Sequence, residues 1–355
     1  MGRDRVLGGG PPNPPSDDGG SGRRKWSPAD EALRPTRLKD VVGQRGVVER
    51  LEITVDAARK RNEGLPHLLF DGPPGVGKTT LAYVLPNEIG AKVHFTSGPA
   101  LNSPKEILPF LTNLGERDVL FIDEIHRLPK TVEEFIYPAM EDYRVDIVIG
   151  EGLGARTVTL PLKKFTLIGA TTRSGMLSAP FRDRFKVQHH LEFYSREELT
   201  TILNINAKKL DMNLAGDAAT ELAGRSRGTP RIANAHLHWT RDFATSRHNG
   251  EVTLEIAKAA LKMHEIDDEG LDKRDRTYLD TLVRLFSGGP TGVEALAATM
   301  NTAVDTLSEE VEPYLLRREF IVRTPRGRRA TARAFTHLNI LPPKDTLLGD
   351  TGLLF

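Results

Sequence analysis

A run of glycines followed by a lysine and two threonines is the first chemistry the chain offers. Gly72-Pro-Pro-Gly-Val-Gly-Lys78-Thr79-Thr80 has the spacing of a phosphate loop: Gly, four residues, then Gly-Lys-Thr. Glycines let successive backbone N–H groups turn inward on an anion, and a helix opening at Thr80-Leu81-Ala82 adds its positive end. In that frame Lys78 reaches the β- and γ-phosphates of a nucleoside triphosphate, and the Thr79 hydroxyl ligates Mg2+. A second run, Val119-Leu-Phe-Ile-Asp123-Glu124, is an apolar strand ending in two acids. Asp123 there suits Mg2+ held through water, and Glu124 suits orientation of a water for in-line attack on the γ-phosphate. A third, Leu167-Ile-Gly-Ala-Thr171-Thr172-Arg173, ends in hydroxyls, and a polar side chain at that end can sense the γ-phosphate or hold the water.

These residues need a scaffold that delivers strand ends to one edge. Short apolar runs at His67–Phe70, Val93–Thr96, Val119–Ile122 and Thr166–Ala170 read as buried parallel strands alternating with helices, an α/β layer with helices on both faces. Arg144–Leu160 reads as a β-hairpin around a glycine turn. Residues 195–264 look wholly helical, and 268–337 read as helices followed by a basic β segment. Pro86 falls inside the helix after Lys78 and predicts a kink or an early end there.

Composition bounds the rest. The 355 residues suffice for two or three domains. The absence of cysteine excludes a thiol nucleophile, Cys-ligated zinc and a disulfide framework, and suits a reducing cytoplasm. A net charge of +1 means that any nucleic-acid contact must come from a local basic cluster. No apolar run approaches membrane-span length, and no secretory signal opens the chain. Residues 1–27 read as a disordered arm, with seven Gly and four Pro in the first 22 positions and a basic end at Arg23-Arg24-Lys25. Residues 341–355 read as a tail.

Taken together, these stretches resemble the AAA+ ATPases and, within them, the RuvB family of bacterial Holliday-junction branch-migration motors. The resemblance is carried by Leu33-Arg34-Pro35 with Val42-Gly43-Gln44, the phosphate loop, Leu120–Leu128, Tyr137–Tyr143, Phe165–Arg173, Leu191–Tyr194, Arg225–Asn234 and Arg323-Thr-Pro-Arg-Gly-Arg328. It implies a large AAA+ ATPase domain over 28–194, a small helical lid over 195–265 and a winged-helix DNA-binding head over 266–340. It further implies that Leu33 and Arg34 lie against adenine. Gly75, Val76, Gly77, Lys78, Thr79 and Thr80 would hold phosphates and magnesium, with Thr172 assisting catalysis. Glu141, Asp142, Tyr143 and Tyr194 would belong to nucleotide-contacting segments. Arg184 would be the arginine finger that enters a neighbouring subunit's site; spacing alone leaves Arg182 open, and the resemblance favours Arg184. Arg231 would be the sensor arginine of the lid.

Between 317 and 333 seven arginines face one acid, Glu319, which reads as a local basic surface. Gly292–Met300 and Val304–Arg318 read as a helix-turn-helix pair, with Arg323 and Arg328 in a wing that grips phosphates without reading bases. Asn234–Arg241 carries His236, His238 and Trp239 and is less basic than the resemblance leads one to expect. The resemblance implies ATP and Mg2+ as cofactors and a cytoplasmic homohexamer acting on duplex and junction DNA in recombination, repair and the SOS response. It implies RuvA as partner, docked on the hairpin through Ile147 and Ile149, which alternation puts on one face. The junction resolvase RuvC would be a further partner. The rival reading is a nucleotide-switched, clamp-loader-like DNA-binding scaffold; Glu124, Arg184 and Arg231 together favour turnover.

Overall fold

The computed structural model describes residues 32–150 and 155–343. The expected arm, the glycine turn of the hairpin at 151–154 and the tail from 344 onward lie outside the described residues. The described residues form two compact units: residues 32–41, 45–72, 78–150 and 155–191, and residues 42–44, 73–77 and 192–343.

In the first unit β1 (Leu68–Asp71), β2 (Val93–Ser97), β3 (Val119–Asp123), β6 (Thr166–Thr171) and β7 (Val187–His190) form one parallel sheet in the order β2-β3-β6-β1-β7. Central strand β6 is buried at all six positions, as a sheet covered on both faces requires. Between β3 and β6 in the chain, β4 (Arg144–Ile149) and β5 (Arg156–Pro161) pair antiparallel as the expected hairpin. Helices α1 (Arg45–Arg61), α2 (Lys78–Ile89), α3 (Pro104–Thr112), α4 (Lys130–Glu141) and α5 (Ala179–Asp183) complete the unit. Leu120, Ile122, Leu167, Ile107, Val132, Ile136 and Phe181 belong to its buried core. Because the strands are parallel and adjacent, the ends of β1, β3 and β6 share the carboxyl edge, where open α/β sheets bind ligands.

The sheet holds one strand that the sequence pattern does not signal, and of the two alternatives at Pro86 the early end is excluded. β7 was not read from the sequence, because Val187-Gln-His-His190 is polar; it pairs only with β1, at the sheet's edge. Pro86 neither ends nor shortens α2, which runs on to Ile89. Burial of Leu81, Ala82, Val84 and Leu85 outweighs the single backbone hydrogen bond that a proline removes.

In the second unit, residues 196–263 are mainly helical: α6 (Arg196–Lys209), α7 (Gly216–Gly224), α8 (Pro230–Arg247) and α9 (Leu254–Met263). The region is not wholly helical, since β8 (Asn213–Leu214) and β9 (Glu251–Val252) form a two-residue parallel pair. A second core, including Tyr278, Leu279, Leu296, Leu315 and Phe320, organises residues 271–338. It comprises α10 (Lys273–Asp280), α11 (Val293–Thr299), a helix from Val304 to Arg317 with a π turn at Leu307–Val311, and α12 (Ala332–His337). The wing is β10 (Ile321–Thr324) paired antiparallel with β11 (Gly327–Ala330), placing Arg323 opposite Arg328. No helix among the described residues is long and apolar enough to cross a membrane.

Candidate functional site

The phosphate loop leaves β1 and enters α2 as the spacing predicts. Gly72 has φ 138°, and a Cβ there would run into the Leu191 carbonyl oxygen, so only glycine fits. Lys78 is buried and its Nζ donates to the Gly72 carbonyl at 2.7 Å. Burial pulls its ammonium down to about 8, against the opposing charges of Asp123, Asp71 and Glu124. A desolvated lysine held among carboxylates at a glycine loop is poised to take anionic phosphates.

Asp123 ends β3, and its Oδ1 accepts the Glu124 N–H at 3.0 Å. Glu124 is left-handed, with φ 49° and ψ 45°. A non-glycine residue held there costs of order 1–3 kcal/mol and persists only where the surroundings impose it, as at functional sites. Its side chain is 44% exposed and pairs with Arg127 at 3.3 Å. At the end of β6, buried Thr171 Oγ1 meets His126 Nδ1 at 2.9 Å and accepts the Arg173 N–H at 2.9 Å, while Thr172 is exposed. The His126 contact ties the turn after Glu124 to the third strand end; nothing in local spacing signalled it.

The first unit also holds Leu33, which is buried, and Arg34, whose guanidinium lies 5.5 Å from the Tyr83 ring centroid. Arg184 caps α5. Its guanidinium pairs with Glu141 at 3.1 Å, donates to the Pro180 carbonyl at 2.5 Å and lies 4.1 Å from the Tyr137 ring centroid. Two residues expected in nucleotide contact, Arg184 and Glu141, are thus brought together within one chain. Their neighbours are not: Asp142 pairs with Arg144 at 3.2 Å, and Tyr143 is tilted 6.4 Å from His67 and edge-on at 6.0 Å to Phe165. Tyr143 is half-buried, with one side of its ring packed against the core.

In the second unit the loop tip and Tyr194 meet. The Tyr194 ring crowds Gly43, and its hydroxyl lies 3.5 Å from where a Gly77 Cβ would be. Burial raises the Tyr194 phenol to about 12, so it stays protonated and able to donate. A Cβ on Gly75 would stand 3.2 Å from Arg231 and 3.5 Å from Thr229. Exposed Arg231, at the start of α8, thus lies directly beside the loop, as its expected role requires. The Val76 side chain is fully buried, so any part it takes at the loop falls to its backbone N–H. His236 is buried and neutral, held down to about 4 by burial, and Trp239 donates to the Ala260 carbonyl at 2.7 Å; both serve packing.

The wing departs from a simple basic surface. Glu312 is fully buried and takes both wing arginines: Arg323 at 2.6 Å and Arg328 at 2.8 Å, with the Tyr278 hydroxyl at 3.1 Å. Glu269 takes Arg318 and Arg333, and Arg317 lies 3.7 Å from the Phe193 ring centroid. Counting charges between 317 and 333 missed this, because Glu312 and Glu269 lie outside that window. Among the described residues Arg326, at the exposed tip, and Arg329 make no ion pair. Arg328 is only 19% exposed, so it is first a fold-holding residue, whereas Arg323 is 51% exposed. Removing Arg328 strips a buried carboxylate of one partner and should lower unfolding free energy by about 3 kcal/mol. Arg326→Ala should change it little. Denaturant melts of the two variants check this; equal midpoints would refute it.

The hairpin is also revised. Ile147 is half-buried against the core, while Val148 at 67% and Ile149 at 49% are exposed. Ile149 is thus the more exposed member of the Ile147–Ile149 face, and Val148 adds an exposed apolar side chain on the opposite face.

The parallel sheet, its phosphate loop and acid pair, the helical lid and the winged-helix fold define a P-loop ATPase of the AAA+ class. Comparison with known proteins narrows this. Residues 33–191 match the Holliday junction DNA helicase RuvB P-loop domain, 194–267 the RuvB AAA lid domain and 268–339 the RuvB C-terminal winged helix domain. The chain is 55% identical over 309 residues to the Holliday junction branch migration complex subunit RuvB of Rhodopirellula baltica, covering 87% of this chain and 84% of that one. A solved structure of the Thermotoga maritima RuvB Holliday junction branch migration motor superposes with a TM-score of 0.80 at 43% identity, covering 88% of this chain and 100% of that one. A mutant of the same protein gives 0.81 at 44%, covering 87% and 100%. This chain belongs to the RuvB family.

Proposed function

We propose that this chain is the ATP-hydrolysing subunit of a Holliday-junction branch-migration motor, an ATPase whose turnover drives duplex DNA past itself in recombination and repair. One observation carries the reading. A phosphate loop and an acid pair sit at the carboxyl edge of one parallel sheet, in a chain that matches the RuvB P-loop, lid and winged-helix domains from 33 to 339.

Within that reading Gly75, Gly77, Lys78, Thr79 and Thr80 bind the phosphates, and Leu33 and Arg34 the base. The Thr79 hydroxyl and Asp123 carboxylate are oxygen donors that suit a hard cation sharing its shell with phosphates and water. Bound there, Mg2+ would neutralise charge on the phosphates. Glu124 orients and deprotonates the attacking water, Thr172 holds it, and Arg231 reads the phosphate state from beside Gly75. Arg184 serves a neighbouring copy in a cytoplasmic homohexameric ring. Domain limits fall near 194 and 266. Ile149 with half-buried Ile147 on the same face forms the apolar part of a docking surface for RuvA, with RuvC as a further partner and the SOS response as setting. Arg323 and Arg326 meet DNA phosphates, with Arg328 positioning the wing through Glu312.

The test is ATP-dependent dissociation of a synthetic four-way junction, with and without the partner that holds it. A motor dissociates the junction only with hydrolysable ATP. A nucleotide-switched scaffold binds in ATP and releases without strand exchange, and that outcome would replace this reading with its rival.

A further inference from the structure

One short segment of the second unit touches the phosphate loop at one end and the winged-helix fold at the other. At the loop end Thr229 and Arg231 stand beside Gly75, and Tyr194 N–H donates to the Gly228 carbonyl at 2.9 Å. Two residues before Thr229, Arg227 turns into the winged-helix fold. Its guanidinium pairs with Asp272 at 2.9 Å and Asp275 at 2.5 Å, donates to the Gly270 carbonyl at 3.0 Å and lies 5.1 Å from the Tyr314 ring centroid. Its own carbonyl accepts from Arg317 at 2.5 Å. Asp272 and Asp275 cap α10, and Tyr278 in that helix donates to Glu312, the carboxylate that holds both wing arginines.

Arg227 is left-handed, with φ 54°, immediately before Gly228, which is also left-handed. The segment is tethered at both backbone carbonyls, Arg227 by Arg317 and Gly228 by Tyr194, which ties the position of Arg227 to that of the residues beside the loop. The anchor it holds is a buried carboxylate. Asp275 is 1% exposed, and its Oδ1 has no hydrogen-bond partner among the described residues. Burial pushes its carboxyl up to about 7 against the pull of Arg227. A buried carboxylate with one oxygen unsatisfied depends strongly on where its single guanidinium partner stands, so a displacement of Arg227 is felt at the start of α10.

We propose that Arg227 is a positioning residue that couples the nucleotide state at the phosphate loop to the winged-helix head, acting through Asp272 and Asp275. This rests on the motor reading above and deepens it: Arg227 touches neither nucleotide nor DNA, and sets how strongly one is felt at the site of the other. Energetic coupling between sites is commonly 5- to 150-fold in a binding or turnover ratio.

The experiment measures ATP turnover by the full-length protein without DNA and with saturating duplex, and duplex affinity in ATP and in ADP. Arg227→Gln and Asp275→Asn should each keep DNA-free turnover and ATP-state duplex affinity within about twofold. Each should lose about tenfold of the stimulation by DNA. The double variant should lose no more than either single one, and Arg227→Lys should restore part of the ratio. A purely structural staple would instead move all readouts together. Undiminished DNA stimulation in Arg227→Gln, or equal loss with and without DNA, overturns the proposal. If Arg227→Gln does not fold, Asp272→Asn, on a carboxylate 41% exposed, must lower the stimulation, and its failure to do so overturns the proposal as well. A wild-type chain with no DNA-responsive turnover overturns the motor reading itself; a responsive wild type with responsive variants overturns only the coupling.

Discussion

Replacing Glu124 with Gln should leave ATP affinity within about twofold of wild type while slowing hydrolysis about 10²–10⁴-fold, the usual contribution of a positioned general base. The substitution keeps the side chain's size and its ability to accept from Arg127, 3.3 Å away, and removes only basicity and charge. The left-handed backbone at Glu124 belongs to the turn between β3 and the short helical turn Ile125–Arg127, and does not depend on the carboxylate. Lys78 keeps its hydrogen bond to Gly72 and its neighbours Asp123 and Asp71, so phosphate binding survives. Loss confined to the chemical step is the signature of a group acting only in the transition state. A fluorescent nucleotide titration and single-turnover hydrolysis check the two halves separately. Wild-type turnover would remove Glu124 from the mechanism, and loss of affinity would make it a binding residue.

The residues carrying this chemistry were legible because their signal is local. A phosphate loop occupies nine consecutive positions, and each strand delivering a site residue is a short apolar run with polar ends. The hairpin and the helical pair before the wing were readable for the same reason. What escaped was long-range or polar. β7 is an edge strand of one apolar and three polar residues and lacks the burial pattern that marks β6. β8 and β9 are two residues each, too short to leave a period. The wing arginines were countable, but their partners were not: Glu269 lies 49 positions before Arg318, and Glu312 acts from the preceding helix, 11 positions before Arg323. Charge composition reports how many cations a segment has and not how many a buried carboxylate has already taken. Alternation placed Ile147 and Ile149 on one face correctly, yet could not foresee that the core would take up Ile147.

Arg184→Ala is expected to abolish hydrolysis while sparing ATP binding, and to be rescued by mixing with a second defective chain. The motivating geometry is its present seat. Arg184 is held by Glu141, whose side chain is 55% exposed, and an ion pair of that exposure is worth about 0–1 kcal/mol. An arginine finger contributes about 10³–10⁵ in rate, or about 4–7 kcal/mol of transition-state stabilisation. Leaving the seat also gives up the Pro180 hydrogen bond and the Tyr137 ring, about 1 kcal/mol each, and the gain still exceeds the sum. Arg182 competes by spacing only: its carbonyl accepts from Gln188 at 3.1 Å, and it lies inside the last turn of the same short helix. Two defective parents separate the cases. Chains with Arg184→Ala keep an intact phosphate loop, and chains with Lys78→Ala keep an intact finger. If the finger acts across an interface, a mixed ring contains sites with Lys78 from one parent and Arg184 from the other. Turnover should then be absent for each parent alone, appear on mixing and peak at intermediate ratios. A finger acting within its own chain allows no such site, because every chain then lacks one of the two groups. Absence of rescue at every ratio, with mixed assemblies shown by differential tagging to form, would count against the assignment in trans and return attention to Arg182. Glu141→Gln supplies the complementary measurement: freeing Arg184 from its partner should leave turnover intact or raise it, and a loss as deep as that of Arg184→Ala would mean that the pair is itself the working unit.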